Sequence, residues 1–274
     1  MLRTETFERP FSRSWEGGFI PRNANGRAIN RNPEESLAAE LQSRNSVLNA
    51  LPAKTVKGLW PNLRRINVER EQFIFQQDDD LEFMYFPETA VLSELHMLDD
   101  GRMVEVAITG CHGAIGLASL YEPSRISNCV QATQAGSLLR IESCLLRKQC
   151  RTDPQLPYLL HSSLAEYIRQ ISLRAVCNMY HSVEERLCTW LLLIRDLGGQ
   201  ARLRLTHEQI ARALGVYRPS VTSIALEMRK RGLIDYSRGG ISITDRAGLE
   251  AAACDCYHEL TADAASQAEA LHVV

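Results

Sequence analysis

The chain has 274 residues, 45% of them hydrophobic, which is enough material for roughly two buried cores. Its formal net charge of -2 argues against a uniformly basic nucleic-acid coat, so any such surface must be local. Eight cysteines occur without a single CxxC pair, and residues 1–30 are polar, Arg- and Asn-rich and broken by Pro and Gly. That start is neither a signal peptide nor a membrane span, and the thiols fit a reduced, cytoplasmic protein.

Residues 1–35 read as an unstructured arm, because Phe7, Phe11, Trp15 and Phe19 stand isolated among polar residues. A helical pattern follows over residues 37–63 (Leu37, Leu41, Val47, Leu48, Leu51), interrupted by Pro52 and Pro61. Residues 71–140 change to short runs rich in Val, Ile, Phe and Tyr, the pattern of a sandwich or barrel. Six strands are predicted, at 73–75, 83–86, 91–98, 103–108, 129–133 and 138–141, with Asp99-Asp100-Gly101 as a hairpin signal. A long helix is expected over 155–181, carrying a stripe of Leu160, Leu164, Ile168, Ile171, Ala175 and Met179. Such a stripe can be a dimer seam or can pack within its own chain. A second helix over 183–197 ends at Gly198-Gly199.

Residues 206–243 read as a winged helix-turn-helix. Thr206 with Gln209 three residues on forms a capping box, Ile210, Ala213 and Leu214 follow at helical spacing, and Gly215 stops the helix. A second helix begins near Arg218 with Pro219 in its first turn, where a missing N–H costs nothing. Val221, Ile224, Ala225, Met228 and Leu233 supply its buried stripe, leaving Arg218, Ser220 and Ser223 on the free face. Two apolar runs flanking Ser237-Arg238-Gly239-Gly240 form the wing hairpin. Residues 201–246 hold nine Lys or Arg against four Asp or Glu, a local charge of +5, as a duplex-binding surface requires.

The order of barrel, long helix and winged helix-turn-helix resembles the Crp/Fnr superfamily of bacterial transcription regulators over about residues 47–257. The stretches that carry the likeness are Phe83-Met84-Tyr85-Phe86-Pro87, Asp100-Gly101-Arg102-Met103-Val104-Glu105-Val106, Gly110-Cys111-His112-Gly113-Ala114-Ile115-Gly116, and Cys177-Asn178-Met179-Tyr180-His181-Ser182-Val183-Glu184-Glu185-Arg186-Leu187. Asp245-Arg246-Ala247-Gly248-Leu249-Glu250 and Ala253-Cys254-Asp255-Cys256-Tyr257 extend it. The resemblance implies an α+β fold: a cyclic-nucleotide-binding-like β-barrel (double-stranded β-helix or jelly roll) over 36–153, a dimerisation helix over 154–182, a DNA-binding domain over 183–257 and a tail over 258–274. It also implies a homodimer on a palindromic duplex operator, with RNA polymerase as a further partner and no membrane. Arg218 falls where such regulators aim an arginine at guanine, and Tyr217 and Ser220 match phosphate-holding positions. Thr206, Gln209, Thr222, Ser223, Arg229, Lys230 and Arg238 complete the expected DNA surface, with Arg231 as an additional backbone contact. Pro219 and Ser223 replace a glutamate and a second arginine of the best-known members, so their operator sequence does not transfer.

The sensor end departs from the family pattern. The Gly-Glu-x-Gly turn of a cyclic-nucleotide pocket is here Gly113-Ala114-Ile115-Gly116, without the acid, and Ser124-Arg125-Ile126-Ser127 puts Arg125 out of phase with the usual phosphate ligand. Gly113, Ala114, Gly116, Arg125 and Ser127 remain the candidate effector residues, but the turn argues against cyclic AMP. An N-terminal iron–sulfur cluster is not expected, because no cysteine precedes Cys111. Haem ligation by His96, His112 or His161 stays open. Cys254-x-Cys256 is too close for a usual zinc half-site and lacks a second pair, which predicts no metal there. Two rival functions are a ligand-independent regulator of the same fold and a cupin-type barrel enzyme, the latter disfavoured because His96 and His112 have no HxH partner. A wing used for protein contacts would not need the +5 charge.

Overall fold

The computed structural model describes residues 43–120, 128–237 and 240–261. Short helices α1 (Ser46–Asn49) and α2 (Ala53–Leu59) lead into strands β1 (Arg64–Val68) to β7 (Gly136–Glu142). Asn45 ties the entry segment down: its side chain caps α1 at Leu48 N and donates to Pro87 O and Gly113 O, both at 2.9 Å. The strands form two antiparallel sheets, ordered β1-β7-β3 and β2-β6-β4-β5, with β2 (Phe73–Phe75), β3 (Phe83–Pro87), β4 (Val91–Met97), β5 (Met103–Thr109) and β6 (Cys129–Gln134). Tyr85, Leu92, Ile115, Val130 and Leu138 fill the space between them. All six predicted strands are present within a few residues. β1 was not predicted, and neither was helix α3 (Ser143–Thr152), which follows β7 directly.

Glu88 illustrates how the sheets carry charge. Its buried carboxylate accepts two hydrogen bonds from Arg65, at 2.6 and 2.9 Å, and one from Arg44 N. Burial alone would raise its pKa; the bonds from Arg65 and Arg44 outweigh that and hold it below the usual carboxylate range. A depressed folded-state pKa contributes stability above the unfolded value, and this is lost as pH falls through the folded one. Glu88→Gln is therefore expected to destabilise the chain at pH 7 and to show a smaller deficit at pH 2, in denaturant titrations at the two pH values. An equal deficit at both would refute the linkage.

The long helix α4 (Gln155–Tyr180) is followed by α5 (Val183–Gly198), whose start is a full capping box at Ser182 and Glu185 and whose end is Gly199 in the left-handed region. Beyond it lie β8 (Arg202–Leu203), α6 (His207–Leu214), α7 (Arg218–Lys230), β9 (Ile234–Ser237), β10 (Gly240–Ile243) and α8 (Arg246–Ala251), with a three-stranded sheet β8-β10-β9. One apolar core joins Trp190, Leu191 and Ile194 of α5 to Ile210, Leu214, Val221, Met228 and Ile241, and it takes in Val91 and Ile108 from the larger sheet. The sheets and the helix-turn-helix thus share buried surface.

Candidate nucleic-acid interface and its link to the sheets

Local chemistry builds the helix-turn-helix as the sequence predicts. Thr206 Oγ1 accepts from Gln209 N at 3.2 Å while Gln209 Oε1 accepts from Thr206 N at 2.8 Å. Gly215 closes α6 with φ 63°, and a Cβ there would meet Val104 Cγ2 at 3.1 Å, so both conformation and space call for glycine. Val221, Ala225 and Met228 bury one face of α7, with Ile224 half-buried. Tyr217, Arg218, Ser220, Thr222 and Ser223 are exposed on the other. Thr222 Oγ1 lies 2.9 Å from His207 Nδ1 and donates to Arg218 O, which fixes its rotamer.

The positive charge is uneven. Arg229 pairs with Asp235 at 3.4 Å, Lys230 with Glu227 at 3.2 Å, and Arg231 with Glu184. Arg218, in contrast, has no ion-pair partner among the described residues. Exposed pairs of the first kind are weak enough to exchange for phosphate. Arg238 lies outside the described residues. The first turn of α7 borders an open groove of about 770 Å³ whose far wall is the β4–β5 hairpin, including Asp100, Arg102 and Val104.

Sequence reasoning missed the residue that ties this module to the sheets. Glu105 of β5 is fully buried, and its carboxylate accepts from Arg174 Nη2 at 2.5 Å, from Trp190 Nε1 at 2.8 Å and from Ser93 Oγ at 2.5 Å. Burial pushes the carboxyl up, opposed first by the Arg174 charge and then by the hydrogen bonds. Four elements therefore meet on one side chain: β4, β5, α4 and α5. Gln170 adds a second clasp, its amide accepting from Ile108 N at 2.8 Å and donating to Ile108 O at 3.0 Å. The sequence signal was a lone carboxylate at an inward position of an otherwise apolar strand.

On the long helix the expected stripe is corrected. Leu160 is 2% exposed and packs with Phe86, Leu139 and Leu156 of its own chain, and Leu164 is partly buried against the same core. At 100° per residue, Met179 lies about 100° round the helix from Leu160, so one straight seam cannot contain both. The exposed face instead carries Tyr158, Ala165, Ser172 and Met179, with His161, Ile168 and Ala175 between them. Those positions alternate by three and four residues.

Residues 185–252 match the model of the Crp-like helix-turn-helix domain. The chain is 24% identical over 185 residues to the "Global nitrogen regulator" of Nostoc sp., covering 64% of this chain and 82% of that protein. It shares its fold with FixK2 from Bradyrhizobium japonicum (TM-score 0.60, 20% identity, 70% of this chain and 98% of that one). A transcriptional regulator of the CRP family from Thermus thermophilus is similar (TM-score 0.60, 20% identity, 69% and 96%). The chain carries a Crp-like helix-turn-helix domain and is similar to transcriptional regulators of the Crp/Fnr superfamily. The chain is of mixed α+β architecture with a helix-turn-helix DNA-binding domain, and the relatives it matches are transcriptional regulators.

Beside the sheets, Gly113 and Ala114 border a cavity of about 80 Å³ shared with Tyr167 and Gln170 of α4, small against the roughly 300–1,000 Å³ of ligand pockets. Gly116 has φ 90°, and a Cβ would lie 2.9 Å from Phe83 O, so it serves the turn. Arg125 and Ser127 lie outside the described residues. His96, on β4, bonds to Asn128; His112 follows β5 and His161 is on α4. Among the described residues one group of three or more metal-capable side chains converges, and it holds none of these histidines: it is Cys177, His181, Cys254 and Cys256. Cys177 and His181, at the end of α4, are the partners that the fold brings to Cys254-x-Cys256 and that sequence spacing alone did not reveal.

Proposed function

We propose that the chain acts as a homodimeric, sequence-specific DNA-binding regulator in which α7 enters the major groove and the wing and neighbouring basic residues hold phosphates. The observation that carries this is the exposed face of α7, where Arg218, without an ion-pair partner among the described residues, stands between Tyr217 and Ser220 at the first turn. A helix N-terminus with an arginine and small hydroxyls suits base-edge readout, and a bidentate Arg–guanine contact discriminates by about 1–3 kcal/mol. Thr206, Gln209, Thr222, Ser223, Arg229, Lys230 and Arg238 complete the contact surface. The exposed alternation from Tyr158 to Met179 is the dimer seam, with Ala165, Ser172 and Ala175 small enough for close approach of a second helix. Arg218→Ala is expected to lower affinity for the operator about 5- to 150-fold while leaving affinity for random duplex within about twofold. Lys230→Ala lowers both alike and flattens the salt dependence. Equal losses on both DNAs for the Arg218 variant would refute its reading role. No helix among the described residues is long and apolar enough to cross a membrane.

A second reading, regulation without a cyclic nucleotide, is favoured by the apolar filling between the sheets and by Ala114 in place of the ribose-binding acid. Millimolar cyclic AMP is then expected to leave the melting temperature unchanged. A ligand at a hundred times its dissociation constant would add about 2.7 kcal/mol, so a clear upward shift would overturn this reading.

A further inference from the structure

We propose that Cys177, His181, Cys254 and Cys256 form a closed, tetrahedral site for one zinc-class divalent cation. One ligand atom from each lies within 4.8 Å of all the others. Cys177 Sγ is 3.6 Å from Cys254 Sγ, and Cys256 Sγ is 3.6 Å from His181 Nδ1. Metal–sulfur bonds of about 2.3 Å and metal–nitrogen bonds of about 2.0–2.1 Å give tetrahedral edges of about 3.8 Å between sulfurs and about 3.6 Å from sulfur to nitrogen. The Cys177–Cys254 and Cys256–His181 pairs already stand near the separations a single ion would impose, and the remaining pairs lie within 4.8 Å.

Other accounts explain less. Buried free thiols behave as small apolar residues, yet these three form a cluster of their own apart from the aliphatic cores. An apolar cluster does not call for the imidazole that adjoins it. A disulfide would use two sulfurs and leave the third thiol and the histidine without a role. An iron–sulfur cubane spreads its ligands around four irons, whereas this set surrounds one point. Three thiolates and an imidazole in a tetrahedron select zinc among common cations, and four protein ligands mark a structural site.

The surroundings position the ligands. Cys177 occupies the last turn of α4, and His181 N donates to Cys177 O at 3.1 Å, which sets the histidine at the helix exit. Thr189 of α5 accepts from Cys254 N at 3.2 Å, and its hydroxyl lies 3.1 Å from Cys254 Sγ; such outer hydrogen bonds orient metal-bound ligands. The ion would pin the end of α4 and the turn into α5 to the segment after α8. If the proposed DNA reading holds, the same ion fixes the angle at which α4 hands over to the recognition module.

The full chain, purified anaerobically with a thiol reductant, is expected to carry one equivalent of zinc by elemental analysis. After removal by a chelator it should take up cobalt(II) with the absorption of a tetrahedral, thiolate-bound ion. His181 is only partly buried and lies outside the apolar cores, so His181→Ala is expected to keep the fold and to hold zinc at least about tenfold more weakly against a competing chelator. The exposed Cys144→Ser control retains it. Zinc held equally by wild type and by a Cys254→Ser/Cys256→Ser chain would place the ion elsewhere and overturn the proposal. So would a stripped wild-type chain that binds neither zinc nor cobalt, or a Cys177–Cys254 disulfide found in place of metal. These readouts contain no DNA, so their failure is separate from any failure of the Arg218 test.

Discussion

Glu105→Ala is expected to lower the unfolding free energy by about 3–5 kcal/mol, because it strands the Arg174 guanidinium, 14% exposed, without its counter-charge. In a chain of this size that corresponds to a fall of roughly 6–20 °C in melting temperature. The loss is specific to the broken pair: a Glu105→Leu/Arg174→Met chain, which replaces both charges by apolar groups of similar volume, is expected to recover most of it. Trp190 gives a local readout, since its indole N–H loses the carboxylate acceptor and its fluorescence should shift. Comparable destabilisation of single and double variants would show that Glu105 matters through packing alone. The two effects separate function from stability as well. If Glu105 transmits position from β5 to α5, the double variant remains folded yet binds operator without regard to changes at the sheets.

The helix-turn-helix was legible because its determinants are local. Thr206 and Gln209 cap within one turn, Gly215 adopts its conformation in place, and Pro219 marks a helix start whatever surrounds it. The long helix was legible in extent but not in facing. Spacings of four and three look alike from Leu160 to Met179, while helical rotation carries the stripe off the barrel side onto the open side, a drift that only packing reveals. β1 escaped notice because Arg64-Arg65-Ile66-Asn67-Val68 buries Val68 alone, leaving almost no alternation for a period-two reading. Helix α3 was hidden by charge, with Arg147, Lys148 and Arg151 among its ten residues. Glu105 stood out locally only as a carboxylate in an apolar strand, and neither its partners nor the Cys177–Cys254 approach could be read locally, since partners 69 and 77 residues apart meet only through the fold.

Dimerisation is where the corrected facing changes the experiment. Ile168 and Met179 are 56% and 76% exposed, so Ile168→Asp/Met179→Asp removes nothing from the chain's own core and should leave its melting behaviour close to that of a wild-type monomer. Across a helix pair, the same changes put carboxylates opposite one another in the seam, where burying unpaired charge is costly. Sedimentation is expected to report half the wild-type mass. Operator affinity should then fall about 10²- to 10⁴-fold, because two half-site contacts no longer reinforce each other through one body. Leu160→Asp would be a misleading substitute, since that side chain is buried against Phe86 and Leu139 and its loss would unfold the sheets. Recognition helices entering successive major grooves must sit about one duplex turn apart, roughly 34 Å, a spacing that only a joined pair can set. Unchanged mass together with unchanged operator affinity in the double variant would rule out this face as the seam.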